Sequence, residues 1–341
     1  MFGKKLDLTG QHALITGGST GIGLALAAEC VRAKANVTVV ARTEATLKAA
    51  KAQLEELAQK LETGGRVTYQ AVDVTDAQKV AEGLAAAVQE LGPVDLLICN
   101  AGSARCGYFH ELELPDFGRQ MQVNYFGVLH VVHALYGDLV RRNQGHIVIV
   151  GSALSTFGMV GYSAYCPSKY AVKGLADCLR NELQGTRVKV SFAQPPDTDT
   201  PGFAEENKSK PPETKEISEG GSTVYKPDKV AACLMSGIRS GAYLLPNPDP
   251  GLAFLAMTTQ GLLPRSFPGV LLELLAALIA PFAQWGFAAM FDRVARKFAP
   301  SRFKKLWGGM EGAGGKGAGG AKAALGSASG SGAAGAGATV Q

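Results

Sequence analysis

Six short runs rich in β-branched residues, at positions 13–16, 36–41, 66–71, 96–100, 146–152 and 188–193, alternate with longer segments of helical period. The helical segments cover 22–33, 45–62, 77–90, 117–142 and 165–184. Strands that strictly alternate with helices do not pair as hairpins. The order therefore predicts an α/β fold, a doubly wound parallel sheet with helices on both faces. Ligands in such sheets bind beyond the carboxyl ends of the strands, where strand order reverses, so functional residues are expected just after the strands.

Between the first strand and the first helix stands Thr16-Gly17-Gly18-Ser19-Thr20-Gly21-Ile22-Gly23. Glycines there let the backbone approach a pyrophosphate, whose charge meets the N–H groups that open the helix. A glycine-rich turn alone is a weak signal. In this strand–loop–helix setting it predicts a Rossmann-like dinucleotide site built from Gly17, Ser19, Thr20, Gly21, Ile22 and Gly23. The second strand ends at Ala41-Arg42, where an NAD site commonly carries an acid for the ribose 2′-hydroxyl. Arg42 suits a 2′-phosphate instead, so the expected cofactor is NADPH; the bland alternative is a solvated surface arginine.

Tyr165-Cys166-Pro167-Ser168-Lys169 sets a tyrosine and a lysine four apart on one helical face. Pro167 is tolerated only if that helix is just starting, because its missing N–H is harmless in a first turn. A free tyrosine, with a pKa of about 10, is a poor proton shuttle at neutral pH unless a cation favours the phenolate. Lys169 is such a cation. Ser152 follows the fifth strand, where its hydroxyl is placed to meet a substrate carbonyl. A Tyr/Lys pair by itself is common by chance; its conjunction with Ser152, Asn124 and the glycine turn is not.

Taken in order across residues 8–200, the glycine turn, Asp73-Val74, Asn100-Ala101-Gly102, Asn124, Ser152 and Tyr165-x-x-x-Lys169 resemble the classical short-chain dehydrogenase/reductase family. The resemblance implies that Tyr165 is the general acid and that Ser152 orients the carbonyl. Lys169 would lower the tyrosine pKa and hold the nicotinamide ribose, and Asn124 would hold the water of a proton relay. Asp73-Val74 and Asn100 would flank the adenine side, with Ala101 and Gly102 shaping the fourth strand. One departure stands out: Pro195-Pro196-Asp197-Thr198-Asp199-Thr200 occupies the place of the family's Pro-Gly. Proline fixes φ and lacks an N–H, so the loop is shaped differently there. By the same analogy Pro195, Thr198 and Thr200 would line the cofactor. This string is similar to one branch of the family, which implies a long-chain amino ketone of sphingolipid synthesis as substrate. It also implies an endoplasmic reticulum membrane location with the catalytic domain facing the cytosol.

Charge and hydropathy divide the chain further. Of the formal +5, residues 1–291 contribute −1, while Arg293, Arg296, Lys297, Arg302, Lys304 and Lys305 form a basic cluster immediately after residues 274–291, an 18-residue run without a charge. A body without a basic face argues against nucleic acid. The basic cluster beside the apolar run points to a membrane bilayer. Spanning needs about 20 apolar residues, so the run is borderline, and Pro281 weakens it; buried helices at a subunit interface are the alternative. The domains read as 1–249, a reductase domain with a substrate loop at 201–227; 250–307, an apolar segment with its basic flank; and 308–341, a disordered tract holding 13 of the 43 glycines. No signal-like apolar stretch precedes the first strand, so the catalytic part is not expected in a lumen. Six scattered cysteines without a CxxC pair, and no clustered histidines, predict reduced thiols and no metal.

Two further functions share these features: reduction of a steroid or retinoid carbonyl, and a non-catalytic nucleotide-binding regulator. The complete set of Asn124, Ser152, Tyr165 and Lys169 disfavours the second. Family helices such as 117–142 form a subunit face, and Val128, Val131, Val132 and Leu135 give this one an apolar stripe, so a homodimer or homotetramer is expected.

Overall fold

The computed structural model describes residues 6–221, 223–258 and 267–311. The strands are β1 (His12–Thr16), β2 (Asn36–Ala41), β3 (Val67–Ala71), β4 (Val94–Cys99), β5 (Gly145–Val150) and β6 (Val188–Ala193). They form one parallel sheet in the order β3-β2-β1-β4-β5-β6. The order reverses between β1 and β4, and a crevice opens beyond Thr16 and Cys99. The helices are α1 (Gly21–Arg32), α2 (Glu44–Lys60), α3 (Ala77–Leu91), α4 (Leu114–Met121), α5 (Gly127–Arg142), α6 (Tyr165–Glu182), α7 (Pro201–Ser209), α8 (Pro212–Gly221), α9 (Pro227–Ser240), α10 (Pro250–Thr258) and α11 (Phe267–Glu311).

Alternate strand residues feed two cores, as the pleat requires. Ala13, Ile15, Leu96 and Ile98 pack with α1, α2 and α9 on one face. Leu14, Leu97, Ile147 and Ile149 pack with α3, α5 and α6 on the other. The expected doubly wound sandwich is therefore present, and its strand ends carry the site.

Three expectations need correction. The predicted helix at 117–142 is α4 and α5 joined by a wider π-helical turn, Gln122–Phe126, that carries the buried Asn124. The apolar stripe of α5 does not face outward: Val128, Val131, Val132 and Leu135 lie in the chain's own core and offer no partner surface. Residues 201–227, read as a polar loop, contain α7 and α8. Thr200 caps α7 by accepting the Phe203 N–H at 3.0 Å, and Pro201 takes the first helical position, where a missing N–H costs nothing. Buried Glu213 and Thr214 pin α8, accepting from Tyr108 Oη at 2.7 Å and donating to the Val160 carbonyl at 2.8 Å, respectively.

One compact unit ends at Ala295 and a second begins at Arg296. In the first, Ala256 of α10 and Ala276 and Ala280 of α11 are buried, and Phe291, near the middle of α11, meets the Phe157 ring with centroids 6.0 Å apart. Glu273–Ala299 is 27 residues long and holds an 18-residue window with a mean hydropathy of 1.7, the one helix among the described residues long and apolar enough to cross a membrane. The helix continues through Pro281 and runs to Glu311, into the tract expected to be disordered. The rest of that tract, 312–341, lies outside the described residues, as do 259–266 of the apolar segment 250–307. The six cysteines are all free.

Candidate active site

A cavity of about 1480 Å³ follows the crevice across the strand ends. Pockets for a single drug-sized ligand span about 300–1,000 Å³, so this one has room for a dinucleotide and a second molecule.

Its cofactor end is built from the glycine turn. Gly17, Ser19, Thr20, Gly21 and Ile22 line the cavity; Gly23 lies beneath the turn. A Cβ at Gly23 would come within 2.2 Å of the Gly17 carbonyl oxygen and 2.5 Å of Asn100 Nδ2, so only glycine lets the turn fold back on its helix. Asn100 fastens this turn: Nδ2 donates to the Thr16 and Gly17 carbonyls, both at 3.2 Å. Its backbone N–H is held by Thr16 Oγ1 at 3.1 Å. The amide therefore shapes the loop as much as it faces a ligand. Arg42 is exposed on the cavity rim with no ion pair among the described residues. Asp73 and Val74 follow β3, where Asp73 Oδ1 accepts from the Thr75 N–H at 2.9 Å and the Thr75 hydroxyl at 2.8 Å, fixing a tight turn. Polar, glycine-lined and open at a helix N-terminus, this end fits a nicotinamide dinucleotide.

Tyr165 is the first residue of α6, so Pro167 sits in the first turn as its chemistry demands. Lys169, 5% exposed, donates to the Val150 carbonyl at 3.2 Å and stands 5.8 Å from the centroid of the Tyr165 ring. Burial brings its ammonium down to about 8. Burial, followed by the negative charge of Glu206, pushes the Tyr165 phenol up from its ordinary value, while a hydrogen bond with Ser152 pulls it back. Ser152 lies just beyond β5, where Oγ also accepts the Leu154 N–H at 3.1 Å. Asn124 does not line the cavity. It is 1% exposed and stands behind Gly102, where a Cβ would meet Asn124 Oδ1 at 3.1 Å and Lys169 Nζ at 3.5 Å. Its Oδ1 accepts the Ser103 N–H, and its Nδ2 donates to the Ser103 carbonyl and to Ser168 Oγ, each at 2.9 Å. The π-helical turn makes room for this triple engagement; such turns recur at functional sites.

Pro195, Thr198 and Thr200 also line the cavity, with Thr200 against the glycine turn, where a Cβ at Gly21 would meet its Cγ2 at 2.9 Å. The Thr198 hydroxyl donates to the Pro196 carbonyl at 2.8 Å, so the Pro-Pro loop is tied to itself. Sequence reasoning missed the far end of the cavity. Tyr162 and Glu206 line it, as do Leu252, Leu255, Phe287 and Phe291 from α10 and α11. A tyrosine three residues ahead of Tyr165 was the only local signal for any of them.

Comparison with known proteins agrees with this geometry. The short chain dehydrogenase profile matches residues 11–211. The chain is 40% identical over 269 residues to a 3-dehydrosphinganine reductase of Danio rerio, covering 76% of this chain and 80% of that protein. It is 36% identical over 290 residues to a 3-ketodihydrosphingosine reductase of Dictyostelium discoideum, covering 81% and 86%. Among solved structures it is similar to an actinorhodin polyketide ketoreductase variant with NADPH, at 26% identity and a TM-score of 0.61 over 71% of this chain and 97% of that one. Levodione reductase, at 20% identity and a TM-score of 0.64 over 72% and 98%, shares the fold. With the profile spanning more than half its length and the motif residues gathered at one cavity, the chain belongs to the short chain dehydrogenase family.

Proposed function

We propose that this chain uses NADPH to reduce 3-ketodihydrosphingosine to dihydrosphingosine in sphingolipid synthesis. The observation that carries the reading is a cavity whose polar end meets Ser152, Tyr165 and Lys169, and whose far end is roofed by the apolar α10 and α11. The names of the similar proteins support the substrate.

Bound NADPH supplies the hydride. Gly17, Ser19, Thr20, Gly21 and Ile22 would hold its phosphates, Arg42 its 2′-phosphate, Asp73 and Val74 its adenine. Ala101, Gly102, Lys169, Pro195, Thr198 and Thr200 would surround the nicotinamide end. Ser152 donates to the C3 ketone oxygen. Tyr165 surrenders its proton to the alkoxide that develops there. The upward push on Tyr165 by burial and the Glu206 charge keeps the phenol protonated at neutral pH, the form a donor needs, and Lys169 Nζ stands 5.8 Å from its ring centroid. Asn124, locked by Ser103 and Ser168, is where a water relay toward Lys169 would start.

A C18 amino ketone is scarce in water, so its reductase has reason to touch a bilayer. The exposed apolar face of α11 suits that contact, and Arg293, Arg296 and Lys297 suit an anionic cytosolic leaflet. We place the enzyme on the endoplasmic reticulum membrane with its body in the cytosol. The family's homodimer or homotetramer would have to use a surface other than the α5 stripe.

The test is NADPH oxidation by the full chain in liposomes carrying 3-ketodihydrosphingosine, with the product identified. Dihydrosphingosine formation is expected. Faster turnover of a steroid or retinoid carbonyl would transfer the assignment to that substrate.

A further inference from the structure

Past Tyr165, the cavity reaches a carboxylate that the proton and hydride chemistry does not use. Glu206, on α7, lines this end with its side chain 16% exposed. Its Oε1 accepts the hydrogen bond of the Tyr162 hydroxyl and lies 3.2 Å from Lys210 Nζ. Oε2 has no hydrogen bond among the described residues. The Tyr162 ring, whose hydroxyl reaches Glu206, has its centroid 5.7 Å from that of Tyr165, and all three residues line the same cavity. Glu206 is near enough that its charge acts on the Tyr165 phenol itself.

Lys210 holds this carboxylate in place rather than competing for the cavity. Its side chain is 2% exposed, with Nζ 4.6 Å from the centroid of the Phe203 ring and 5.9 Å from that of Tyr162. The ion pair with a buried ammonium keeps Oε1 occupied and orients the second oxygen. Asp197 also lines this end and acts on Tyr162 as a negative charge.

We propose that Glu206 is the specificity-determining residue for the substrate's amine, with Oε2 receiving the C2 ammonium while Tyr165 and Ser152 hold the C3 oxygen. The inference rests on the amino-ketone reading above and deepens it. In a 2-amino-3-ketone the nitrogen and the carbonyl sit on adjacent carbons. The group that reads the nitrogen must therefore lie beside the phenol that protonates the oxygen, and Glu206 is the carboxylate one aromatic ring away. Such a contact separates an amino ketone from a neutral lipid ketone of the same length. The apolar roof cannot make that distinction.

The experiment compares two ketones with the full chain in liposomes: 3-ketodihydrosphingosine and its des-amino analogue, 1-hydroxyoctadecan-3-one. The readout is the ratio of their kcat/KM values. The wild type is expected to favour the amino ketone, and Glu206→Gln should collapse that ratio by about 10- to 100-fold, the loss that follows removal of one hydrogen bond between charged groups. Because Glu206→Gln leaves Lys210 buried without its anion, the paired variant Glu206→Gln with Lys210→Met is measured as well and should show the same collapse. An unchanged ratio in the folded variants overturns the proposal, even if both rates fall together. A wild type that reduces the des-amino ketone but not the amino ketone overturns the substrate reading instead, which keeps the two failures apart.

Discussion

The two ends of the cavity are built by different physics. The cofactor end is polar and densely hydrogen-bonded: Asn100 clamps the glycine turn, Asp73 closes its own turn, and Asn124 binds Ser103 and Ser168. The roof is apolar and assembled from remote segments. Its helix α11 turns alanines inward, Ala276 and Ala280, and large side chains outward. Leu278 is 72% exposed and Phe282 75%, where water is a costly neighbour. The floor is tuned to hold charge and geometry. The roof turns large apolar side chains outward, and on the membrane reading proposed above catalysis and lipid access should fail separately.

The largest expected effect attacks the floor. Tyr165→Phe removes the proposed proton donor, and kcat should fall about 10²- to 10⁴-fold, the usual contribution of positioned proton transfer. The loss should be the same for the lipid ketone and for a short water-soluble ketone, because both use the floor. NADPH binding, followed by fluorescence, should stay nearly unchanged. Retained turnover of the soluble ketone would show that the floor does not carry the chemistry.

Next comes a matched pair of leucines. Leu139 in α5 is 1% exposed within the core, and Leu139→Ala should cost about 2–5 kcal/mol in denaturant unfolding. The same change at Leu278 should cost less than about 0.5 kcal/mol, as exposed substitutions do. Combining Leu278→Asp with Phe282→Asp should instead cut vesicle recovery by about 100-fold or more, since each inserted side chain contributes about 1.5–3 kcal/mol. If the α11 variants lose stability rather than vesicle binding, that face is packed against protein.

The same contrast explains what could be read from the sequence. The floor was legible because each of its signals is local: a glycine turn between strand and helix, Tyr165 and Lys169 one helical turn apart, and Pro167 marking where that turn begins. The roof was not. Glu213 meets Tyr108 across 105 positions, and nothing in either neighbourhood announces the other. The polar composition of 201–227 suggested a loop, yet the cap at Thr200 and the burial of Glu213, Thr214 and Ile217 make it helical. The α5 stripe was read correctly as apolar and wrongly as outward, because periodicity reports that a face is buried but not against what. Arg42 shows the limit on the floor itself: it lines the cavity, but its ligand rests on charge alone. Arg42→Asp should shift the NADPH/NADH preference by about 10- to 100-fold toward NADH, the loss of one charged hydrogen-bonding pair. An unchanged ratio would make Arg42 a surface residue.

The smallest expected effect belongs to the sheet that carries both ends. His146, in β5, is 2% exposed, and burial, aided by the nearby Lys189 charge, lowers its pKa to about 3. Ser191 Oγ donates to the Ala242 carbonyl, so it accepts from His146 Nε2 at 2.7 Å, which leaves Nδ1 as the unprotonated nitrogen. Nδ1 has no hydrogen-bond partner among the described residues, so a proton added there meets no acceptor. Unfolded, the imidazole titrates near about 6.5, so between that pH and about 3 the unfolded chain binds the extra proton and the folded chain does not. Stability is fully present above pH 6.5 and declines as the pH falls, by about 2 kcal/mol between pH 7 and pH 5. His12, in β1, is also lowered by burial and adds to the loss in the same direction. Denaturant midpoints at the two pH values check this, and His146→Gln should flatten the difference. Because the histidines sit beneath floor and roof alike, acid should remove catalysis and lipid access together, unlike any single change at either end. An equally steep acid loss in His146→Gln would assign the sensitivity to other groups.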